Sequence, residues 1–213
     1  PEGSVIKSTA ISPEVLDADG VYRNTGPARV FYSESDAIEA VKGRVDTPVK
    51  PGDIMVMCGR GPMGTGMEEG AQITLALKHL SWGKEVALVT DARFSGVSTG
   101  ACIGHVGPEV LAGGPIGKLR DGDLIRIVID GSNLNGSLDF VGEDGQEVSV
   151  EEGTSILKRR AAPDALAADP RRPEDTRLWA ALQNAGGGTW GGCIYDVEKI
   201  LQLLKAGGEA LES

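Results

Sequence analysis

The chain has 213 residues, 40% of them hydrophobic and 24% charged, with a formal net charge of -10. This balance is typical of a globular protein with one large or two small domains, and the negative charge argues against nucleic acid or an anionic membrane as a partner. No apolar run approaches the roughly 20 residues of a membrane span, no signal-peptide pattern is present, and the three cysteines lack metal-ligand spacing, so we expect a cytoplasmic protein in a reducing compartment.

The first predicted elements alternate between strand and helix. Residues 28–32 form a short predicted strand, and a helix begins at Ser33, with an aspartate three residues later in the capping-box position. Two strands that are too apolar to be half exposed follow at 53–58 and 85–90. A glycine-rich loop and a helix over 68–80 connect these two strands.

The middle of the chain is richer in strands. Pro108 stands where a further helix could start, and residues 123–130 alternate like a strand with one exposed face. Weaker strands are predicted at 137–141 and 147–150, joined by an Asp-Gly turn, and a helix over 151–160 follows them.

The last segment differs in composition. It begins with a stretch rich in Ala, Pro, Asp and Arg, which indicates a loosely held connection. Helices over 176–183 and 196–206 then flank a second glycine-rich run at 186–192. We therefore predict a strand-rich α/β body over residues 1–160 and a C-terminal extension over 161–213.

Two glycine-rich loops are predicted at one edge of the sheet. If the strands at 53–58 and 85–90 are parallel, their crossover is right-handed and both strands end at the same edge. The loops at 59–69 and 91–100 then lie side by side, where open α/β sheets usually bind ligands. Two such loops together favour a ligand pocket more strongly than either loop alone.

The first loop contains a G-x-G-x-x-G pattern at Gly59, Gly61 and Gly64, and an NAD(P)-binding module is therefore one hypothesis. Against it, Glu68 and Glu69 are predicted in the first turn of the next helix, where a bound pyrophosphate needs positive charge. A carboxylate that faces a pocket is instead a suitable ligand for Mg²⁺, although a solvated acid in a first turn is the commoner case. The pattern does not distinguish the two glutamates.

The second loop combines hydroxyl groups, glycines and an arginine. Ser95, Ser98 and Thr99, together with backbone amides, suit a ligand with several oxygen atoms. The alternative is a Ser/Thr-rich turn that caps a following helix. Arg93 could hold a substrate carboxylate, or it could pair with Asp91.

A nucleophilic serine has less support. Ser95 is not part of a G-x-S-x-G elbow, and His79 is predicted at the far end of its helix, where a structural role is expected. His105 is the remaining candidate base for a Ser–His–Asp hydrolase. A purely structural or interaction domain is a further alternative, in which Glu69 and Ser95 would point apart.

Five stretches of the chain stand in a recognisable order: "PEGSVIK", "GPARVF", "GPMGTGMEE", "TDARFSGVSTGACIGHVGPE" and "AGGPIGKLRDGDLI". Together they resemble the C-terminal domain of the dihydroxy-acid dehydratase and phosphogluconate dehydratase family, over about residues 1–160. The tail "DTRLWAALQNAGGGTWGGCIYDVEKIL" is similar to the sugar-acid branch of that family, the D-xylonate dehydratase type. Dihydroxy-acid dehydratase of branched-chain amino-acid synthesis is the alternative within the family.

The resemblance implies removal of water from a 2,3-dihydroxy acid, such as D-xylonate, to give a 2-keto-3-deoxy acid. In this family an iron–sulfur cluster (2Fe-2S or 4Fe-4S) acts as Lewis acid on the departing 3-hydroxyl, and Mg²⁺ binds the carboxylate and the 2-hydroxyl. A serine alkoxide takes the C2 proton, and the motif places this base at Ser95, where a nearby dication can lower the hydroxyl's pKa. The motif places the Mg²⁺ ligand of this domain at Glu69, with Glu68 as the fallback.

The resemblance also implies substrate contacts from the second loop. Some family members carry a hydroxyl two residues after the serine, where this chain has Val97. Ser98 or Thr99 can take its place, and Arg93 and His105 complete the expected contacts.

The cluster ligands and the other Mg²⁺ ligands belong to the larger N-terminal domain of the family. Cys58, Cys102 and Cys193 do not match them, and we expect small buried thiols. The start Pro-Glu-Gly-Ser, without methionine, likewise indicates an excised piece of a longer protein. We expect a detached C-terminal domain, inactive alone.

Its expected partners are a small sugar acid and the N-terminal domain of the same enzyme, in a homodimer or homotetramer. For the fold, the family implies a swivelling β/β/α barrel-like domain with flanking helices.

Overall fold

The computed structural model describes residues 3–190 and 194–212. The strands are β1 (Val5–Ile6), β2 (Val21–Phe31), β3 (Ile54–Met57), β4 (Ala87–Thr90), β5 (Ala101–Gly104), β6 (Leu124–Asp130), β7 (Asn135–Glu143) and β8 (Gln146–Glu147). The helices are α1 (Glu34–Val41), α2 (Pro62–Thr65), α3 (Ala71–Lys78), α4 (Val150–Arg159), α5 (Glu174–Ala185) and α6 (Val197–Leu211). The strands form an eight-stranded sheet in the order β1-β5-β4-β3-β2-β6-β7-β8.

The long strand β2 joins two halves of this sheet. Its residues 28–31 pair in parallel with β3, while its residues 21–27 pair antiparallel with β6. β4 and β5 continue the parallel half, and β1 closes its edge antiparallel to β5. β6, β7 and β8 form an antiparallel meander. The chain therefore combines a parallel half, where ligand sites form at strand ends, with an antiparallel half.

Both faces of the parallel half are covered, which explains why its strands are wholly apolar. On one face, α1 and α3 pack against alternate residues of the strands, including Met55 and Leu88. On the other face, Val56 and Val89 join the residues of the antiparallel half, such as Ile127, in a second core cluster. Every residue of β3 and β4 is buried.

The predicted helix after Ser33 and the predicted parallel pair are confirmed. Ser33 accepts a hydrogen bond from the backbone N–H of Asp36 at 3.1 Å, so it caps α1 as the sequence pattern requires. β3 and β4 pair in parallel and in register from Ile54 with Ala87 to Met57 with Thr90. Their carboxyl ends therefore meet at one edge of the sheet.

The predicted helix over 68–80 is wrong at its start. A single turn, α2, ends at Thr65, and α3 begins only at Ala71. Glu68 and Glu69 precede this helix because Glu69 forms a parallel bridge with Arg93. This pairing holds the backbone extended at the position where the sequence pattern predicted the first helical turn.

The expectation of a helix after the second loop is also wrong. The loop leads into β5, whose first three residues pair in parallel with β4. Its short apolar run, Ala101 to Gly104, carries no periodicity that separates strand from helix. Pro108 starts no α-helix either: two 3-10 turns follow it, at Val110–Ala112 and Pro115–Lys118.

The antiparallel half follows the sequence pattern closely. β6 and β7 lie where they were predicted, and the turn residues Asp144 and Gly145 both have positive φ, at 53° and 76°. β8 is shorter than the predicted strand at 147–150 because Ser149 caps α4, accepting a hydrogen bond from Glu152 N at 3.2 Å.

The C-terminal helices pack against the glycine-rich loop and against each other. α5 contacts α2, and α6 contacts α5. Ile200 of α6 is buried. α6 extends past its predicted end at residue 206, to Leu211, because the backbone stays helical through Gly207 and Gly208.

The predicted strand-rich α/β class is confirmed as a mixed α/β fold built on one large sheet. None of the helices in the described ranges has the length and apolar character needed to cross a membrane.

Candidate functional site

The two glycine-rich loops are joined by backbone hydrogen bonds at the carboxyl ends of β3 and β4. The N–H of Gly70 donates to the carbonyl of Arg93 at 3.1 Å, and the N–H of Arg93 donates to the carbonyl of Glu68 at 3.4 Å. These bonds and the Glu69–Arg93 bridge extend the parallel pairing beyond the strands. The predicted adjacency of the loops is therefore present in the fold.

Arg93 pairs with Glu69 across the two loops, and the predicted alternative of a pair with Asp91 is wrong. Arg93 Nη1 lies 3.4 Å from Glu69 Oε2, and the two side chains are 53% and 37% exposed. The Nε–H of Arg93 also donates to the carbonyl of Met67 at 3.0 Å. An ion pair this exposed is worth at most about 1 kcal/mol, so a ligand can displace it at low cost.

Ser95 lies on the same edge, two residues beyond Arg93. Paired strands are about 5 Å apart, and two residues span at most about 7 Å, so the Cα atoms of Ser95 and Glu69 are within about 12 Å of each other. Ser95 is partly exposed, and its hydroxyl accepts a long hydrogen bond of 3.4 Å from Val97 N. The N–H of Ser98 donates to the carbonyl of Ser95 at 3.1 Å, which closes a tight turn.

Phe94 anchors the start of this turn. Its ring packs beside Gly104 of β5, where an added Cβ would lie 3.1 Å from the ring, and also faces Gly70. The phenylalanine thus points into the core beside α3. Ser95, the next residue, is only partly buried.

The other two hydroxyl groups of the loop lie elsewhere. Ser98 is 1% exposed, and its hydroxyl accepts a hydrogen bond from Thr74 Oγ1 at 3.2 Å. Thr99 is exposed at the end of the loop. The structure therefore brings Ser95 close to Glu69 and Arg93, places Ser98 in the interior and leaves Thr99 on the surface.

His105 joins the group at the end of β5. Its φ is 53°, and its N–H donates to the carbonyl of Ala92 at 2.7 Å. Partial burial and the nearby guanidinium of Arg93 lower the pKa of His105. A neutral imidazole at this edge can accept a hydrogen bond from a substrate hydroxyl.

Two buried carboxyl groups hold the glycine-rich loop. Asp91 accepts hydrogen bonds from the N–H groups of Arg60 and Val110, at 2.9 and 3.1 Å. Glu109 accepts from the first amides of α2, at 2.6 Å from Met63 N and 3.2 Å from the next residue. Burial raises the pKa of both carboxyl groups, and the neighbouring Asp91 helps to raise that of Glu109 to about 7.

This arrangement argues against the nucleotide-binding hypothesis. Amides that a pyrophosphate would need already bind Asp91 and Glu109. Asp91 stands at the end of the next strand, where such a module would place the acid that binds a ribose hydroxyl, and it is 1% exposed. The glycines of the pattern also have structural reasons: a Cβ at Gly61 would lie 2.7 Å from Glu109, and one at Gly64 would lie 1.9 Å from the carbonyl of Gly59.

Glu68 and Glu69 have different surroundings. Glu68 forms an ion pair with Arg60, whose side chain is only 12% exposed, and its N–H donates to Thr65 Oγ1 at 3.2 Å. Glu69 faces the second loop through its pair with Arg93. The structure therefore distinguishes the two glutamates, which the sequence did not.

The described cysteines are buried thiols, as expected. Cys58 donates to the carbonyl of Ile116 at 3.4 Å, and burial raises its pKa. Burial also raises the pKa of Cys102, to about 12. Cys193 lies outside the described residues. Within residues 3–190 and 194–212, no three His, Cys, Asp or Glu side chains converge as a metal site would require.

An apolar cavity of about 440 Å³ lies on the face of the sheet that carries α4. Val106, Gly107 and Trp190 line one side, and Lys118 and Lys158 line another. None of the residues predicted for the site contributes to its lining.

Two features of the site were not predicted from the sequence. Glu109 binds the glycine-rich loop from a distant segment of the chain. Its position at the end of the stretch "TDARFSGVSTGACIGHVGPE" was a signal that it belongs to the site. Lys7 donates to the carbonyls of Gly96 and Ser98, in the latter case at 2.9 Å, and no pattern in the sequence linked it to this loop.

Comparison with known proteins agrees with the motifs. The family model described as dihydroxy-acid/6-phosphogluconate dehydratase C-terminal matches residues 1–167. D-xylonate dehydratase YagF of Escherichia coli is 59% identical over 211 residues, covering 99% of this chain and 32% of the relative. D-xylonate dehydratase YjhG of the same organism is 61% identical over 207 residues, covering 96% of this chain and 31% of the relative.

A more distant relative matches a smaller part of the chain. A dihydroxy-acid dehydratase of Caldanaerobacter subterraneus subsp. tengcongensis is 47% identical over 135 residues, covering 63% of this chain and 23% of the relative. The chain spans about a third of the length of the two D-xylonate dehydratases that it matches. The family resemblance predicted from the motifs is confirmed, and the chain belongs to the dihydroxy-acid/6-phosphogluconate dehydratase C-terminal family.

Proposed function

We propose that the protein to which this chain belongs is a hydro-lyase that removes water from a sugar acid of the D-xylonate type, giving a 2-keto-3-deoxy acid. The observation that carries the mechanism is the backbone pairing that joins the loop of Ser95 to the loop of Glu69. The observation that favours the sugar-acid branch is that both D-xylonate dehydratases match at least 96% of the chain at 59% identity or more, whereas dihydroxy-acid dehydratases match 63% to 78% of it at 40% to 47% identity.

Ser95 is the proposed base for the C2 proton of the substrate. It is partly exposed on a tight turn, and Val97 N points at its hydroxyl oxygen from 3.4 Å. A backbone donor in this position stabilises negative charge on that oxygen when the hydroxyl gives up its proton. No general base is needed on a neighbouring side chain if a cation lowers the hydroxyl's pKa.

Glu69 is the proposed Mg²⁺ ligand of this chain, and its surroundings fit the role. It offers a hard carboxylate oxygen at a partly exposed position, and its pair with Arg93 is long and easily displaced. Glu68 is committed to the sheltered Arg60, so it fits the role less well. Bound Mg²⁺ would supply a positive centre for the substrate's carboxylate and 2-hydroxyl.

Arg93 and His105 are the proposed substrate contacts. Arg93 is half exposed beside Ser95 and can turn from Glu69 to a substrate carboxylate. His105, with its lowered pKa, can accept a hydrogen bond from a sugar hydroxyl. Thr99 lies elsewhere on the surface and Ser98 supports the turn from inside, so neither is included in the proposed contacts.

The iron–sulfur cluster that the resemblance implies does not fit the described cysteines. Cys58 and Cys102 are buried, and burial raises the pKa of each thiol and so disfavours the thiolate that a cluster ligand must be. We assign the cluster and the remaining Mg²⁺ ligands to an N-terminal domain of the whole protein. The same proposal includes four further properties: a swivelling barrel-like arrangement, a division of the chain at residue 160, a homodimer or homotetramer, and a cytoplasmic location.

The test uses the protein expressed from its complete reading frame and a panel of sugar acids. Ser95→Ala should abolish dehydration of D-xylonate while iron and magnesium contents stay at wild-type values. Ser132→Ala, at an exposed turn of the antiparallel half, is the matched control and should retain activity. Turnover by Ser95→Ala would refute the assignment of the base.

Metal analysis separates the two glutamates. Glu69→Gln should lower the bound magnesium, and Glu68→Gln should leave it unchanged. Loss of magnesium only in Glu68→Gln would reverse the assignment. A preference of the wild-type enzyme for a branched-chain dihydroxy acid over every sugar acid would contradict the proposed substrate class.

A further inference from the structure

We propose that Lys7 is a positioning residue for Ser95: its ammonium group fixes the turn from which the serine projects. This inference rests on the proposed role of Ser95 as the base. Lys7 belongs to the N-terminal segment and lies outside both glycine-rich loops in the chain. The contact between the two regions exists only in the folded chain.

The fold brings Lys7 to this turn through β1. Val5 and Ile6 pair antiparallel with Gly104 and Ile103 of β5, so the N-terminal segment runs back along β5 towards the loop that precedes it. The N–H of Lys7 continues the pairing to the carbonyl of Cys102 at 3.4 Å. The side chain of Lys7 then begins level with the end of the loop.

The ammonium group of Lys7 bridges two carbonyl groups of the turn. It donates to the carbonyl of Gly96 and, at 2.9 Å, to the carbonyl of Ser98. Hydrogen bonds from a charged donor are about twice as strong as neutral ones. Both carbonyls lie within three residues of Ser95, so their orientation sets the backbone conformation on which the direction of the serine hydroxyl depends.

The turn has little other support at its tip. An added Cβ at Gly96 would meet nothing within 4 Å, and Val97 is 66% exposed. The ends of the loop are held independently: Phe94 packs into the core, and Gly100 N donates to the carbonyl of Ala10 at 2.9 Å. Lys7 therefore acts on the segment between these anchors, where a glycine would otherwise allow several conformations.

A base on a loose turn loses rate more than affinity. The substrate is bound by metal and by other side chains, whereas proton transfer requires the serine oxygen in line with the C2 hydrogen. A misplacement of about 1 Å can cost on the order of 100-fold in rate. Loss of Lys7 should therefore lower kcat and leave KM nearly unchanged.

The test compares Lys7→Met, Lys7→Arg and Lys84→Met in the protein expressed from its complete reading frame. Lys84 pairs with Glu14, also in the N-terminal region, and none of its hydrogen bonds within the described residues reaches the second loop, so its loss is a matched control. We expect kcat for D-xylonate to fall by about 10- to 100-fold in Lys7→Met. Lys7→Arg keeps the charged donor and should recover most of the activity, and Lys84→Met should behave like wild type.

Hydrogen–deuterium exchange gives a measurement that does not need turnover. The amides of residues 96–99 should exchange faster in Lys7→Met than in wild type and in Lys84→Met, while the amides of β4 stay protected. If Lys7→Met does not accumulate as a folded protein, Lys7→Gln is compared in the same way.

Two results would overturn the proposal: wild-type kcat in the folded Lys7→Met variant, or unchanged exchange at residues 96–99. Inactivity of the wild-type protein on every sugar acid has a different meaning. It would refute the proposed function, and the exchange measurement would still decide whether Lys7 holds the turn.

Discussion

Glu109 makes the stability of this chain depend on pH, and Glu109→Gln should remove that dependence. The carboxyl group is 3% exposed, and burial together with nearby Asp91 raises its pKa from 4.5 to about 7. It accepts hydrogen bonds from two amides at the start of α2, at 2.6 and 3.2 Å. Glutamine can accept the same two bonds but carries no charge.

The magnitude follows from the raised pKa. Each tenfold change in proton affinity corresponds to 1.36 kcal/mol, so ionisation of Glu109 in the folded chain costs about 3 kcal/mol more than in the unfolded chain. Because the pKa of Glu109 is higher in the folded chain, the protonated group favours folding. This stabilisation is fully present below pH 4.5 and is lost as pH rises through about 7. The nearby amides and Arg172 favour the ionised form, and the pKa of about 7 already includes their effect.

The assay is urea unfolding of wild type and Glu109→Gln from pH 5 to pH 8. Near pH 5 the two free energies of unfolding should be similar, and towards pH 8 the variant should become the more stable by up to about 3 kcal/mol. His105 also makes stability depend on pH, in the opposite direction: because its pKa is lowered, its stabilisation is present above about pH 6.5 and is lost as pH falls. This effect is the same in wild type and variant, so it cancels in the difference between them. Glu151→Gln, at an exposed position of α4, is the control and should follow wild type.

Infrared titration offers a direct check on the same group. The stretching band of a protonated carboxyl group should disappear near pH 7 in wild type and be missing in Glu109→Gln. Parallel pH dependences of stability in wild type and in the variant would show that Glu109 ionises normally, and the reasoning from its burial would be refuted.

Other substitutions test the packing of the antiparallel half and the last helix. Arg160→Met removes the partner of Asp123, which is 4% exposed, and should lower the free energy of unfolding by about 3 kcal/mol in urea unfolding; a cost below 1 kcal/mol would contradict the view that this ion pair is buried. Gly153→Ala and Gly208→Ala should differ in sign, although both positions lie inside helices. A Cβ at Gly153 would lie 2.2 Å from the carbonyl of Phe140 and should destabilise the chain, whereas one at Gly208 meets nothing within 4 Å and should raise the melting temperature, since alanine favours a helix over glycine by about 1 kcal/mol. Equal effects of the two glycine substitutions would mean that helix propensity, and not the contact with β7, decides the outcome at residue 153.

The exposed apolar residues of α6 mark the limit of what pattern reading predicts about packing. Leu201 and Leu204 are 55% and 61% exposed, although their spacing is that of a helix with one buried face. The pattern predicted the helix correctly. It did not predict how much of that face this chain itself covers, because coverage depends on which element packs against it.

Local chemistry explains the features that could be predicted. A wholly apolar run of strand residues needs cover on both faces, which predicted that β3 and β4 are not half exposed. Ser33 capped its helix, and the Asp-Gly turn joined its two strands, because each signal acts within a few residues. The parallel pairing of β3 and β4 then required their two loops to lie side by side.

Most of the strands and helices, the family, and the edge at which Ser95 and Glu69 lie could therefore be predicted from the sequence. The contacts made at that edge could not. The bridge between Glu69 and Arg93 delays the start of α3 to Ala71. The distant carboxyl groups of Asp91 and Glu109 accept hydrogen bonds from the amides of the glycine-rich loop. Lys7 reached a turn 91 positions away at Ser98. A helix cap or a turn depends on neighbours in the chain, whereas these contacts depend on neighbours in space, which are set by the order and direction of the paired strands.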